Sequence, residues 1–152
     1  MRRKEKEITD FAEIESIVKK ANICRIGLVD GDEPYIVPLC FGYEGEALYF
    51  HSAPEGRKIE LIRRNNRVCF EIDADVEITG AEKPCGWSMK YRSVVGVGRA
   101  HILEKEEDKV RGLAVLMRQL GEKRSDLEFE RAARTAVVRI DIERITGKKS
   151  GY

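Results

Sequence analysis

Between Leu48 and Asn65 the chain reads LYFHSAPEGRKIELIRRN, which sets an imidazole, a hydroxyl, a guanidinium and an ammonium within eight residues, His51 to Lys58. A short apolar strand gives way to a small polar loop, and Gly56-Arg57-Lys58 then opens an amphipathic helix. A helix start leaves backbone N–H groups unpaired and carries the positive end of the helix dipole. Two cations and a hydroxyl placed there suit an anion, phosphate above all. Arg57 offers a planar fork of donors and Lys58 a compact charge, which together can offset a phosphate dianion. The plainer reading is that the pair solvates an exposed helix start.

The elements that must hold these residues follow from the pattern around them. Asp10 with Glu13 fits a capping box for a helix at about 10–20, with apolar positions Phe11, Ile14, Ile17 and Val18. Ile23 to Val29 reads as a strand, Asp30-Gly31 as a tight turn and Tyr35 to Tyr43 as the antiparallel partner. Glu44-Gly45-Glu46 turns the chain into a third strand, Ala47 to His51. The Gly56–Asn65 helix follows, and Arg67 to Asp73 returns as a strand with Val68, Phe70 and Ile72 on one face. Residues 76–86 have no clear period and read as a loop. Ser88 to Leu103 is a long strand that Gly96 and Gly98 allow to bend. Glu106 to Leu120 is helical, with Val110, Leu113, Ala114, Met117 and Leu120 as its apolar stripe, and Thr135 to Ile142 is a last strand before a tail at about 147–152. Short antiparallel strands and three helices predict a mainly β fold, a small β-barrel with flanking helices, in a single domain spanning 1–152.

Composition narrows the function. Lys plus Arg number 28 and Asp plus Glu 27 in 152 residues, so no cationic excess points to nucleic acid or an anionic membrane. No apolar run approaches the ~20 residues of a membrane span, and MRRKEKEITD lacks the apolar region of a signal peptide, so a cytoplasmic location is expected. Cys24, Cys40, Cys69 and Cys85 are far apart without zinc spacing, and no metal site is expected. Cys24 and Cys69 read as buried thiols.

Four segments in order carry a resemblance: YIVPLCFGYE at 35–44, LYFHSAPEGRK at 48–58, NNRVCFEID at 65–73 and CGWSMKYRSVVGVGRA at 85–100. Together they resemble the split β-barrel flavoproteins of the pyridoxamine 5′-phosphate oxidase-like superfamily, and within it the nitroimidazole-resistance branch. The resemblance implies a homodimer with a flavin mononucleotide (FMN) in each of two clefts between the barrels. It matches Arg57 and Lys58 to the phosphate pair, with Gly56 where classical oxidases often carry Ser. His51 and Ser52 match positions near the ribityl chain and ring. Val37, Pro38 and Leu39 match the strand lying against the isoalloxazine, and Pro38, lacking a ladder donor, also belongs on an edge strand. Trp87, Tyr91, Arg92 and Ser93 fall in the segment that reaches the cleft at the dimer interface, Ser93 standing where oxidases have a flavin-contacting Gln. Packing at the interface is the commoner fate of Trp87 and Tyr91.

The resemblance further implies a flavin-dependent oxidoreductase taking a hydride from a reduced nicotinamide and passing electrons to a small acceptor such as a nitroaromatic. No side chain is assigned to catalysis, His51 being the weak candidate. Pyridoxamine 5′-phosphate oxidation is disfavoured, because RIDIERITGKKSGY lacks the Arg-x-His substrate signature. Two alternatives stay open. One is a flavin-binding or redox-sensing protein without turnover; the other is a split barrel holding haem, FAD or a deazaflavin, with His51 or His101 as the axial ligand of a haem.

Overall fold

The computed structural model describes residues 3–152. Its first helix, α1 (Phe11–Lys20), begins where the sequence places a cap, the Asp10 carboxylate accepting from the Ala12 N–H at 3.0 Å. The reciprocal half of the expected box is not made. Glu13 turns instead to the Lys149 ammonium, at 2.9 and 3.0 Å. Ile14, Ile17 and Val18 are buried, whereas Phe11 is 46% exposed and stands over a shallow cleft with Tyr43, Ile142 and Ile145.

A two-residue strand, β1 (Glu7–Ile8), precedes α1, and β2 (Ile23–Asp30) with β3 (Glu33–Cys40) follows it as a hairpin. Gly31 takes a φ of +64° in the turn, a conformation costly for any residue with a Cβ. The strand expected from Tyr35 to Tyr43 is in fact two. β3 stops at Cys40, Phe41 buries its ring completely, and β4 (Gly42–Glu44) pairs with β5 (Ala47–Ser52) rather than with β2. Driving Phe41 into the core moves the chain from one edge of the sheet to the other.

After β5 come α2 (Arg57–Arg64), β6 (Arg67–Thr79), β7 (Ser88–Ile102), α3 (Glu106–Gln119) and β8 (Ala136–Ser150). The sheet is antiparallel in the order β3-β2-β6-β7-β8-β5-β4, with β1 added to β8. Among the described residues it does not close, so β3 and β4 remain the two ends of that order. Two expectations change here. Residues 76–79, the start of the expected loop, extend β6 and pair with 88–90 of the expected strand to form a two-stranded arm; the tail expected from 147 is strand as far as Ser150. Ladder bonds to β7 hold both segments extended, a non-local cause that local periodicity does not register.

Glycines set the curvature. A Cβ at Gly96 would strike the Phe70 ring, and one at Gly98 would strike the Asp141 carbonyl, beside the irregularity where β7 and β8 shift register. The main core lies between the inner sheet face, α1 and α2, filled by Phe41, Phe50, Phe70, Ile59 and Ile140. A smaller cluster of Ala47, Tyr49 and Val115 lies under α3. That helix does not bury the expected stripe. Its buried residues are Gly112, Val115 and Leu116, because Gly42 lets the α3 backbone come so close that a Cβ there would sit 2.6 Å from Leu116. Shape, more than apolar count, chose the contact face.

Candidate anion-binding site at the start of helix α2

The β5 strand ends at Ser52, and a loop delivers the chain to α2 through Gly56, whose φ of +123° an L side chain rarely adopts. This conformation accounts for glycine at the position. With glycine at the cap position, no side chain among the described residues caps the first turn. Ile59 and Glu60 donate to the Gly56 carbonyl at 2.9 and 3.1 Å, but among the described residues the N–H groups of Arg57 and Lys58 have no protein acceptor. Such a helix start is a ready anion site.

Arg57 is half-exposed and already partly engaged. Its Nε donates to Asp30 Oδ2 at 2.9 Å, Nη2 lies 3.6 Å from Glu33 Oε2, and its guanidinium carbon stands 4.7 Å from the centre of the Tyr35 ring. Asp30 Oδ1 accepts from Arg64, in the last turn of the same helix, at 3.2 Å. Nη1 of Arg57 has no partner among the described residues, and neither does the half-buried Lys58 ammonium. The first two residues of α2 thus carry a guanidinium nitrogen, an ammonium and two backbone N–H groups without a partner among the described residues.

β-strand alternation divides the other expected site residues. Ser52 points to the buried face of β5; His51 points to the α3 side, into a cavity of about 560 Å³ shared with Leu113, Met117, Phe129 and Thr135. His51 makes no side-chain hydrogen bond among the described residues. Val37 and Leu39 pack against the core while Pro38, opposite Arg25 on the edge strand, faces outward. Cys69 also faces outward, against the expectation of a buried thiol, since its neighbours Val68 and Phe70 take the core face. Cys24 is buried, and desolvation pushes its thiol up to about 12. His101 is exposed, with Nε2 3.5 Å from Asp141 Oδ2.

Trp87, Tyr91, Arg92 and Ser93 lie at the far end of the β6–β7 hairpin. Arg67 pairs with Arg99 near α2, and Asp73 pairs with Ser93. Six residues at ~3.3 Å each separate the two levels, about 20 Å along the strands. Within one chain these four residues do not meet Arg57. Arg92 moreover points inward, bonding Asp75 at 2.8 Å and stacking 4.1 Å from the Tyr152 ring centre. Ile78 and Met89 are cross-strand partners, and Val76, Trp87 and Tyr91 share their face by the two-residue period. Val76, Ile78, Trp87 and Met89 are all exposed, leaving the arm with an uncovered apolar side. Sequence reasoning missed Asp30, Glu33 and Tyr35 beside Arg57; the signal was the Asp30-Gly31 turn, which brings the hairpin end to the helix start.

Residues 10–149 match the pyridoxamine 5′-phosphate oxidase family. The chain belongs to that family. Among solved structures, this family member superimposes with a TM-score of 0.82 on a candidate 5-nitroimidazole antibiotic resistance protein from Bacteroides thetaiotaomicron, at 33% identity over 94% of this chain and 86% of that one. It also superimposes on an FAD- and haem-binding protein from Mycobacterium smegmatis, with a TM-score of 0.83 at 18% identity, covering 97% of this chain and 74% of that one; at that identity the likeness is one of fold. The split barrel is thereby shown. A curated relative, the uncharacterized protein RA0666 of Rhizobium meliloti, is 35% identical over 60 residues, which span 40% of this chain and 39% of the relative. Among the described residues no helix is long and apolar enough to cross a membrane.

Proposed function

We propose that this chain binds FMN and works as a reductase of a small acceptor, a nitroaromatic being the class suggested by the resistance-protein neighbour. The observation that carries the reading is the uncapped start of α2, where the free edge of Arg57, the Lys58 ammonium and two backbone N–H groups have no partner among the described residues. These are the donors a terminal phosphate dianion needs, so the residues present fit the group. FMN, when bound, would supply two-electron redox chemistry with reduced nicotinamide as donor. The chain's own part is to grip the phosphate, orient the ring along the β3 edge near Pro38, and keep bulk water from it.

The remaining site residues call for a second copy. Ser93 stands about 20 Å from the Arg57 level in one chain, and Tyr91 and Trp87 farther out along the arm, on an outer face that also carries Ile36 at 65% and Val95 at 45% exposure. Apolar area of this kind on a sheet face supports a homodimer in which one chain's arm completes the other's site. FMN and riboflavin titrations by fluorescence quenching, joined with light scattering, test the whole reading. A dimer that binds FMN more tightly than riboflavin, and whose flavin is bleached by reduced nicotinamide and restored by a nitroaromatic, is the expected result. A protein that binds neither flavin overturns it.

A further inference from the structure

The surroundings of Arg57 carry an inference beyond its own contact with phosphate. A guanidinium at the end of a flexible side chain loses rotamer freedom when it closes on an anion, and that loss weakens binding unless the protein has already fixed the group. Here it is fixed on two sides. The Tyr35 ring lies against one face, with the guanidinium carbon 4.7 Å from its centre, and the Nε edge is bonded to Asp30 at 2.9 Å. Asp30 cannot easily follow Arg57 away, because its other oxygen is held by Arg64 at 3.2 Å. Tyr35 is itself half-buried and packed against the main core. What remains unbonded is the Nη1 side, with Nη2 only loosely approached by Glu33 at 3.6 Å.

We propose that Tyr35 and Asp30 are positioning residues that pre-orient Arg57, holding its face and its Nε edge so that the opposite edge is presented to the phosphate. This rests on the reading of α2 as the phosphate site. The two residues come from the hairpin of β2 and β3, and they tie the strand expected to lie along the flavin to the helix start that grips its phosphate. Neither residue touches the anion in this scheme; each acts through the guanidinium.

FMN and riboflavin titrations on the full chain test this with Tyr35→Ala, Tyr35→Phe, Asp30→Ala, Arg57→Ala and the double variant Tyr35→Ala/Arg57→Ala. Loss of a stacked, pre-oriented guanidinium should weaken FMN binding roughly two- to tenfold in Tyr35→Ala. Riboflavin binding should hold, Tyr35→Phe should restore the parent affinity, and the double variant should be no weaker than Arg57→Ala alone. Asp30→Ala should act in the same direction as Tyr35→Ala. If Arg57→Ala leaves FMN affinity unchanged, the phosphate reading fails and this assignment with it. If Arg57→Ala weakens FMN but Tyr35→Ala does not, or weakens FMN and riboflavin alike, or adds in full to Arg57→Ala, positioning by Tyr35 is overturned while the phosphate site stands. Tighter FMN binding in Asp30→Ala would make Asp30 a competitor for Arg57 and overturn its part.

Discussion

Arg57 and Arg92 share nearly the same immediate company, two carboxylates and one tyrosine ring, yet they stand at opposite ends of the β6–β7 hairpin and suit different tasks. Around Arg57 are Asp30, Glu33 and Tyr35; around Arg92 are Asp75, Glu13 and Tyr152. Formal charge alone does not tell their tasks apart, since each carboxylate pair also draws further cations, Arg64 in one, Lys20 and Lys149 in the other. Geometry does. The Arg57 side chain is 50% exposed beside an uncapped helix start, whereas Arg92 is 27% exposed and Tyr152 covers its face while donating its hydroxyl to the Asp75 carbonyl at 2.7 Å. An arginine with open donors can take a ligand. One that is mostly covered, its Nη1 bonded to Asp75 and its face under the Tyr152 ring, holds the fold together, here at the left-handed residue Asp75, where the arm leaves the sheet.

The strongest way to break the comparison is to spoil both clusters at once through the strand joining them. Gly98→Ala would push a methyl into the backbone carbonyl of Asp141, and a backbone oxygen in a ladder has little room to retreat. Overpacking of this kind costs about 1–3 kcal/mol. A thermal melt followed by circular dichroism should show the whole protein destabilised, with flavin binding weakened. An unchanged melt would mean that β7 tolerates a Cβ there and that its curvature has another source.

A matched pair of substitutions sharpens the contrast. Arg57→Ala removes charge-assisted hydrogen bonds, a loss of about 1.5–3 kcal/mol, or roughly one to two decades in FMN affinity. Riboflavin, lacking the phosphate, should bind the variant as it binds the parent, and the melt should hardly move. Lys58→Ala should act likewise but less strongly, as a point charge without a fork. Arg92→Ala should do the reverse, lowering the melt while leaving the ratio of FMN to riboflavin affinity where it was. If the ratio fell in Arg92→Ala and not in Arg57→Ala, the two arginines would have exchanged roles.

Acid should separate the clusters more gently. The Lys20 ammonium first, and Arg92 with it, holds the Asp75 carboxyl below its usual range. A carboxylate depressed in the folded state contributes stability above its unfolded pKa and loses that contribution as pH falls through the folded value. Titration from neutral pH to below the ordinary carboxylate range should therefore loosen the arm before the rest of the molecule unfolds, a small effect because the carboxylate is near the surface. Trp87, the sole tryptophan, reports on the arm: its emission should shift with acid in the parent and stay flat in Asp75→Asn. A parent signal that is equally flat would remove Asp75 from the clamp.

Much of the fold is legible in the residue order because its causes are local. Asp10 caps α1 since a carboxylate two residues before an N–H reaches it whatever the rest of the chain does, and Gly31 and Gly45 turn their hairpins through φ values other residues avoid. The start of α2 belongs to the same class, because Gly56-Arg57-Lys58 after a short strand defines the candidate anion site almost by itself. Family membership follows from four segments in order.

Contacts across the chain decided the rest. Phe41 splits a continuous strand pattern because its burial requires core that β5, β6 and β8 provide from elsewhere. Residues 76–79 have no period of their own and are strand because β7 lies beside them; α3 turns a glycine face inward because Gly42 leaves space for its backbone. Arg92 falls in a segment expected to reach the cofactor, and its ion pair with Asp75 and the ring over its face exist only because Asp75, Glu13 and Tyr152 arrive from three other segments. The sequence by itself determined which groups could hold a phosphate, since donors and acceptors are properties of residue types. Only the tertiary structure decided which donors stay open, because that depends on which carboxylates and rings folding brings within a few ångströms.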